Sequence, residues 1–314
     1  PDYGQLSGNT LDQIRRGAGG RVSDEHMAAK KHPADFLLWK PDKAHVMKWD
    51  SPWGPGYPGW HIECSAMATS LLGRDTIDIH TGGEDNIFPH HECEIAQTRG
   101  ATGQSTFARY WMHTRYLLVE GAKMSKSKGN FYTVRDLLAK GASPSAIRFE
   151  LLRAHYRSNM NFTLQGLEDA RRNVQRLRDA AAKFEKESQG KVASDVSDHP
   201  TLQAFRQALA DDLNVAGALG EVFKWLSDPR ESADVSLAVL RQVDRVLNVL
   251  TDAVPAQAAG SSQDDEIAAK CRGIDEARKA KDFATADRLR KELTDAGYEV
   301  QIGKEGTTAR KKLV

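Results

Sequence analysis

Thr76-Ile77-Asp78-Ile79-His80-Thr81-Gly82-Gly83-Glu84-Asp85 alternates apolar and polar residues over its first half and then turns on two glycines. The alternation predicts a strand over Thr76–His80, because side chains of a strand point alternately to its two faces. A helix is predicted to follow through His90–Arg99. Strand, glycine turn and helix form the α/β pattern that places ligands at the carboxyl ends of strands. This segment therefore predicts an α/β fold with a ligand site beyond the strand.

The segment before this strand contains a long loop and a short helix. Proline and glycine are so frequent in Ser51–Gly59 that neither a helix nor a central strand can form there. A long ordered loop in a compact domain is typical of a functional segment. Asp35–Lys40 has the apolar density of a short buried strand. A short helix is predicted over 64–73, with an apolar face that consists of Cys64, Met67, Ala68 and Leu71.

After the α/β segment the pattern becomes mostly helical. A strand region over Trp111–Val119 is followed by the polar, basic loop Gly121–Asn130. Helices are predicted from about Thr133 onward, including a long amphipathic helix over 164–186. Beyond residue 265 we expect one charged helix and a short strand over 298–302. The polar segments that separate these helices are predicted to be a loop at 187–199 and a linker at 254–264.

Composition limits the class of protein. The chain has 314 residues, and its 44 Lys and Arg against 43 Asp and Glu give a formal net charge of +1. This balance excludes a strongly basic coat protein and an acidic disordered tail, but it leaves room for a local basic face that binds nucleic acid. Three cysteines are too few for a disulfide framework, and no stretch resembles a transmembrane helix or a signal peptide. We therefore expect a reducing, cytoplasmic location without membrane association.

Lys123-Met124-Ser125-Lys126-Ser127, followed by Gly129-Asn130, is the strongest chemical signal in the sequence. Two lysines three positions apart on a Ser/Gly-rich loop can surround a polyphosphate, and each ammonium would stabilise oxygens whose negative charge grows as pyrophosphate leaves. A lone Lys-Ser-Lys run is usually a solvated basic loop. This pentapeptide, placed after a strand and before helices, favours the polyphosphate interpretation, with Lys123 and Lys126 as catalytic residues.

Cys64, His90 and Glu94 form a candidate metal set. His90 and Glu94 are four residues apart and therefore share one face of a helix. Together with Cys64 they supply three ligand types that zinc binds, which leaves room for a fourth ligand. On spacing alone, a buried apolar cysteine and a polar His90-His91 pair at a helix start are the more ordinary interpretation. Cys93 is a second thiol, but helix geometry turns it away from the His90–Glu94 face.

Taken together, these two signals resemble the cysteinyl-tRNA synthetases, class I enzymes that join cysteine to its tRNA. The Lys-Met-Ser-Lys-Ser loop marks class I synthetases in general, whereas Gly-Trp-His-Ile-Glu-Cys and Pro-His-His-Glu-x-Glu mark the cysteine enzymes and their close relatives. The stretches that carry the resemblance are Ser51–Gly54, Gly59–Met67, Asp78–Asp85, Phe88–Gln97, Tyr110–His113, Lys123–Ser127, His155–Ser158 and Gly306–Arg310.

The resemblance implies one zinc ion per chain, held by two cysteines, a histidine and a glutamate, of which Cys64, His90 and Glu94 match three. In this family the zinc binds the thiolate of the substrate cysteine. A soft sulfur binds zinc better than the hydroxyl of serine does, so this contact gives a discrimination that makes editing unnecessary. Cys93 stands where many relatives carry Asn, and the resemblance gives it no metal role.

The resemblance also assigns residues to the substrates. Trp60 and His80 match residues at the floor of the amino-acid pocket. Gly83 and Asp85 match the turn that contacts adenosine, where a carboxylate can hold ribose hydroxyls. Lys126 matches the lysine of the loop that contacts ATP. The implied substrates are cysteine and ATP with Mg²⁺, the implied partner is tRNA(Cys), and a monomer is expected.

The implied fold class is α/β then mostly α. It comprises the C-terminal half of a Rossmann-like class I catalytic domain, a helical bundle and a small α+β end domain. The resemblance places the first half of the nucleotide fold, with its His-Ile-Gly-His-type signature and the first zinc cysteine, before Pro1. We therefore expect weak metal binding, an exposed sheet edge and no adenylation by this chain alone. The implied boundaries are 1–145 for the partial catalytic domain, 146–253 for the stem and anticodon-binding bundle, 254–264 for the linker and 265–314 for the C-terminal tRNA-binding domain.

Two other functions fit part of the sequence. The related cysteine ligase of mycothiol synthesis shares the zinc set and the loop, but it lacks the end domain that 267–310 resembles. A non-catalytic tRNA-binding fragment would hold tRNA without activating cysteine. Seven arginines could together line a phosphate track, although for each of them a solvated helix surface with a partner such as Glu168 or Glu185 is the more ordinary interpretation. They are Arg148, Arg153, Arg157, Arg171, Arg172, Arg176 and Arg178.

Overall fold

The chain forms two compact units, each described below by itself. The first unit contains Pro1–Tyr116 and Tyr156–Ser158, and the second contains Leu117–His155 and Asn159–Val314. The first is a mixed α/β unit and the second is mostly helical, in the order that the sequence predicts. The computed structural model describes residues 3–11, 30–32, 34–252, 262–303 and 306–311.

The first unit is organised around two parallel strands. Its regular elements are β1 (Trp39–Pro41), β2 (Gly56–Pro58), α1 (Trp60–Leu72), β3 (Ile77–Gly83), a 3₁₀ turn (Glu84–Asn86), a short helical turn (Ile87–His91), α2 (Glu92–Thr102) and β4 (Ala108–Thr114). β3 pairs in parallel with β4, so that His80 lies opposite Trp111. A parallel pair needs a crossover connection, which α2 supplies. Gly73 and Gly103 end the two helices in the left-handed conformation, which glycine adopts without steric cost.

The strand and the helix predicted from the opening sequence are confirmed, with shifted ends. The strand begins at Ile77 and continues through the two glycines to Gly83. The α-helix begins at Glu92 instead of His90. Phe88 accounts for the later start, because its backbone is extended (φ −134°, ψ 131°) and interrupts the preceding turns.

Two apolar predictions in this unit are wrong. Asp35–Lys40 does not form a buried strand, since Leu37 and Leu38 are about half exposed and β1 pairs only with the three residues of β2. On α1, Met67 is 51% exposed and Leu71 is 82% exposed, because the side that faces the core presents the smaller Ser65 and Ala68. Ile79 and Tyr110 are exposed cross-strand neighbours on the two-stranded parallel sheet.

The second unit contains a small sheet, a set of packed helices and a C-terminal segment of two helices and a hairpin. β5 pairs in parallel with β7 and antiparallel with β6 in the sheet, where the elements are β5 (Leu117–Val119), β6 (Ala122–Lys123) and β7 (Met160–Phe162). The packed helices are α3 (Val134–Ala139), α4 (Pro144–Leu152), α5 (Leu164–Glu187), α6 (Pro200–Ala210), α7 (Val215–Ser227) and α8 (Ala233–Leu247). The C-terminal segment contains α9 (Ser262–Lys279), α10 (Phe283–Asp295), β8 (Tyr298–Gly303) and β9 (Gly306–Lys311).

Several helices of the second unit begin at a residue whose side chain caps the helix. Thr133 forms a capping box with Asp136 at the start of α3. Thr163 accepts a hydrogen bond from the backbone of Gly166 and so caps α5. The extent of α5, Leu164–Glu187, confirms the predicted long amphipathic helix. The apolar stripe of α5 is buried against α4, α6, α7 and α8 in one core, which includes Leu177, Phe205, Val222 and Leu240.

Most of the seven arginines bind partners inside their own unit. Arg171 pairs with Glu168, as predicted, and reaches Glu299 at 2.8 Å. Arg178 pairs with Asp252 at 2.9 Å and donates to a backbone carbonyl. These contacts join elements of the fold, so a phosphate track is not needed to account for the residues. The other contacts are Arg148 to the Leu247 carbonyl, Arg153 to Glu150, Arg157 to the Tyr156 ring, Arg172 to Asp169 and Arg176 to the Phe223 ring.

The C-terminal segment contains two helices where the sequence predicts one. Lys281 adopts a left-handed conformation (φ 61°) and Asp282 caps α10 by accepting from the Thr285 backbone, so the chain reverses there. β8 and β9 form an antiparallel hairpin that includes the predicted strand over 298–302. Helix α9 begins inside the predicted linker 254–264, of which residues 254–261 lie outside the described residues. Among the described helices, none is both long and apolar enough to cross a membrane.

Candidate functional site

Three predicted ligands converge between the two helices of the first unit. Cys64 lies on α1, His90 lies in the turn that precedes α2, and Glu94 lies in the first turn of α2. One ligand atom from each lies within 4.8 Å of the others. His90 and Glu94 are one helical turn apart, and the packing of α1 along α2 brings the thiol to them. The structure thus assembles the set that spacing alone could not favour over a buried apolar cysteine.

The Glu94 carboxylate is fully buried and only half satisfied. Its Oε2 atom accepts a hydrogen bond from His80 Nε2 at 2.6 Å. Its Oε1 atom lies 3.3 Å from His90 Nε2 without hydrogen-bond geometry, and it has no hydrogen-bond partner among the described residues. A buried carboxylate oxygen without a partner is costly. A cation bound between Glu94, His90 and Cys64 would satisfy it, so the residues fit a metal ion such as zinc.

Burial affects the histidines and the cysteine of the site in opposite ways: it favours the metal-binding form of the histidines and disfavours that of the cysteine. His61 Nδ1 lies 2.6 Å from His90 Nδ1, so one ring donates to the other. When His90 is the donor, its Nε2 atom carries the lone pair that a metal needs. Burial lowers the pKa of His61 and of His90, which keeps both rings neutral. Burial and the nearby Glu94 carboxylate raise the pKa of the Cys64 thiol, which must lose its proton to bind a metal.

A second group of histidines extends the site along the sheet. His80, His91 and Glu94 also bring ligand atoms within 4.8 Å of one another. His91 Nδ1 lies 2.7 Å from His113 Nε2, and burial together with the neighbouring histidines lowers the pKa of His91 to about 3. Gly82 lets the His91 ring lie close to the backbone of β3, because an added Cβ atom would lie 2.7 Å from that ring.

The other predicted substrate residues of this unit lie beside the His90 ring or on the turn that follows β3. Trp60 stacks on the His90 ring with 4.1 Å between the centroids and is about half exposed. Gly83 begins the turn after β3, and Asp85 lies exposed on that turn. An added Cβ atom at Gly83 would lie 2.6 Å from Asp85 Oδ1, so the glycine lets this carboxylate fold back over the turn.

The Lys-Met-Ser-Lys-Ser loop lies in the second unit. Lys123 ends β6 and Lys126 begins a 3₁₀ turn, and both are exposed. Asn130 organises the loop: its oxygen accepts from the Ser125 backbone at 2.9 Å, and its nitrogen donates to the carbonyls of Val119 and Lys123. The loop therefore has a defined base, and its lysines are presented to solvent.

A family model matches the part of the chain that contains these residues. The model of the family described as "tRNA synthetases class I (C) catalytic domain" matches residues 1–172, which is more than half of the chain. The chain belongs to this family. As a class I synthetase catalytic domain, it carries the histidine cluster, the glycine turn and the lysine loop within the matched residues.

Curated relatives of this synthetase family are similar over nearly the whole chain. The cysteine–tRNA ligase of Rhodospirillum rubrum is 45% identical over 322 residues, which cover 98% of this chain and 67% of the relative. The cysteine–tRNA ligases of Symbiobacterium thermophilum and Solibacter usitatus are both 42% identical and cover 99% of this chain and 68% of each relative. A solved ternary complex of Agrobacterium radiobacter K84 agnB2 LeuRS with tRNA and LeuAMS is 14% identical, with a TM-score of 0.49 over 65% of this chain and 32% of that chain.

Sequence reasoning missed several residues that contact the predicted ligands or their neighbours. Its predictions did not include His61, His91 and His113, whose contacts depend on how α1 and β4 pack beside α2. The alternation of Trp111-Met112-His113 was the available signal, because it places Trp111 and His113 on one face of a strand. Cys93, by contrast, is fully buried and contacts the Tyr3 hydroxyl at 3.2 Å, and burial raises its pKa to about 12.

Proposed function

We propose that the protein is a cysteine–tRNA ligase, which activates cysteine with ATP and transfers it to tRNA(Cys). The observation that carries this proposal is the meeting of Cys64, His90 and the half-satisfied Glu94 carboxylate at 4.8 Å or less. This donor set occurs in a chain of the class I synthetase family that is 45% identical to a cysteine–tRNA ligase. The combination favours a ligase that recognises a thiol through a metal.

The metal would be zinc, held by Cys64, His90 and Glu94. Zinc bound there supplies a Lewis acid with an affinity for the thiolate of cysteine that exceeds its affinity for the hydroxyl of serine. His80 holds the Glu94 carboxylate in place through its Nε2 donor, and Trp60 covers the His90 ring. Trp60 and His80 would form the floor of the amino-acid pocket.

The chemistry proceeds in two displacements. A carboxylate oxygen of cysteine attacks the α-phosphorus of ATP, the bond to the bridging oxygen breaks, and magnesium pyrophosphate leaves with the electron pair. The 3′-terminal adenosine hydroxyl of tRNA then attacks the acyl carbon and releases AMP. Lys123 and Lys126 would stabilise the charge that develops on the leaving pyrophosphate, and Gly83 and Asp85 would hold the adenosine.

The architecture that supports this function is the C-terminal half of a Rossmann-like catalytic domain, a helical bundle that recognises the anticodon and a small α+β end domain. The boundaries at 145, 253 and 264 remain part of this proposal, as do a monomeric state and a cytoplasmic location. The tail residues Lys304 and Lys312 lie outside the described residues, as do the side chains of Arg310 and Lys311.

Cysteine-dependent exchange of pyrophosphate into ATP tests the proposal. It would be measured with zinc on this chain and on a chimaera that adds the part of the Rhodospirillum rubrum relative outside the match. Exchange by either protein supports the ligase, and exchange by the chimaera alone also shows that the added part completes the site. If neither exchanges with cysteine although both bind tRNA, the protein is a tRNA-binding module instead.

A further inference from the structure

Gln97 links the two helices that carry the proposed metal ligands. It lies on α2, and its amide contacts the first turns of α1. With its nitrogen toward the His61 carbonyl, the orientation that satisfies both ends of the amide, it donates to that carbonyl at 3.1 Å and to Ser65 Oγ at 2.6 Å. The amide oxygen then accepts from the Ile62 backbone at 3.3 Å. One side chain thus makes three hydrogen bonds across the helix pair.

These contacts surround the residue that carries the thiol. His61, Ile62 and Ser65 belong to the same turns of α1 as Cys64. Gln97 is three residues after Glu94, on the adjacent turn of α2. The hydrogen bonds therefore connect the backbone around one ligand to the helix turn beside another. Ser65 is buried, and its hydroxyl donates onward to the His61 carbonyl at 3.2 Å.

The apolar contact between the helices gives less precise positioning. Ala68 and Ile95 pack against the small cluster of Ile77, Phe107 and Ala108. Apolar burial is non-directional and permits one helix to slide along the other. A hydrogen-bonded amide with both ends engaged resists sliding and rotation, since either movement breaks a contact to a buried group.

We propose that Gln97 is a positioning residue that sets the distance between the Cys64 thiol and the Glu94 carboxylate, and so sets the affinity of the metal site. This inference rests on the proposed zinc-dependent function. Ligand atoms around a tetrahedral zinc are about 3–4 Å apart. A functional site must hold such distances to within about 0.5 Å. Gln97 does not contact the metal; it acts by holding the helix that carries Cys64.

Metal titration of this chain tests the inference. The variants are Gln97→Met, which keeps the volume and removes the hydrogen bonds, and Gln104→Met, a matched control at an exposed position beyond the end of α2. Zn²⁺ and Co²⁺ affinities would be measured by competition with a chromophoric chelator. The thiolate-to-Co²⁺ charge-transfer band reports the geometry, and thermal unfolding of the metal-free protein reports general damage.

Gln97→Met should weaken both affinities by about 10- to 100-fold, as the loss of a supporting contact around a metal typically does. It should also shift the Co²⁺ band, while Gln104→Met changes neither. Wild-type affinity and an unchanged band in Gln97→Met would overturn the inference, including when the variant is less stable. Ser65→Ala, which removes one partner of the amide, repeats the test with a smaller change and should give a smaller loss.

The same titration separates failure of the inference from failure of the function. Cys64→Ala should lose the charge-transfer band altogether. If the wild type and Cys64→Ala bind Co²⁺ equally, the proposed metal centre is wrong and Gln97 has nothing to position. If Cys64→Ala loses binding and Gln97→Met retains it, the centre stands and only the role of Gln97 is overturned.

Discussion

His80 donates a hydrogen bond to Glu94 at 2.6 Å and thereby joins the middle of β3 to the first turn of α2. Glu94 is fully buried, whereas the His80 side chain is 21% exposed. His80 therefore lies between the buried carboxylate and solvent. Because the other carboxylate oxygen has no hydrogen-bond partner among the described residues, His80 carries most of the compensation for burying this group.

We expect His80→Ala to lower the free energy of unfolding by about 1–3 kcal/mol, since it leaves a buried carboxylate without its donor. Urea denaturation of the metal-free protein measures this loss. His80→Gln is the matched control, because its amide nitrogen can take the place of Nε2 and should recover much of the stability. Equal stability of all three proteins would show that Glu94 does not depend on His80.

The sequence could predict the ligand set because part of it is local. The four-residue spacing of His90 and Glu94 fixes their common helix face wherever that helix packs. The contribution of Cys64 needed the pairing of α1 with α2, and that of His113 needed the register of β4 against β3. Such long-range contacts are not encoded in spacing, so the supporting residues His61, His113 and Gln97 emerge only from the structure.

The prediction of helix boundaries was wrong where the chain turns without glycine or proline. Ala280-Lys281-Asp282 contains neither residue, yet Lys281 reverses the chain and divides the predicted charged helix in two. Asp282, three residues before Thr285, was a readable capping signal. The apolar face predicted for α1 is wrong at Met67 and Leu71 for another reason, because an apolar side chain is buried only where a second layer of the fold covers it.

Asn130 is expected to control the order of the lysine loop. Asn130→Asp keeps an acceptor for the Ser125 backbone but faces a carboxylate toward the carbonyls of Val119 and Lys123. The Ser125 amide should then exchange hydrogen roughly 10- to 100-fold faster. Lys128→Ala, which removes an exposed side chain from the same loop, is the control. Protection of Ser125 that is unchanged in the Asp variant would mean that other contacts hold the loop.

Lys126 is expected to act in the transition state of adenylation. Lys126→Ala should slow cysteine-dependent pyrophosphate exchange by about 10²–10³-fold and leave the affinity for cysteine nearly unchanged, since its contact strengthens as pyrophosphate leaves. The comparison uses the exchange-active form of the protein, with Lys128→Ala as a neighbouring exposed control. Losses of similar size in rate and in cysteine affinity would place Lys126 in ground-state binding instead.

Asp275 is expected to make the C-terminal segment sensitive to acid. Its carboxylate accepts from the Thr307 hydroxyl at 2.6 Å and from the Thr307 backbone at 2.9 Å, which joins α9 to β9. These two hydrogen bonds hold the pKa of Asp275 below its ordinary value, and the bond from the hydroxyl has the larger effect. The unfolded chain, with an aspartate pKa of about 3.9, therefore binds the proton more readily than the folded one does.

The sign of the effect follows from that difference. The stabilisation by Asp275 is complete above the unfolded pKa and is lost as the pH falls through the lower folded pKa. Asp275→Asn should therefore accelerate hydrogen exchange of the β8–β9 amides at pH 5–7, and the difference from the wild type should shrink below about pH 4. Asp287→Asn, at an exposed position on α10, should change little at any pH. A difference that persists undiminished at pH 3 would show that Asp275 acts through shape and not through its charge.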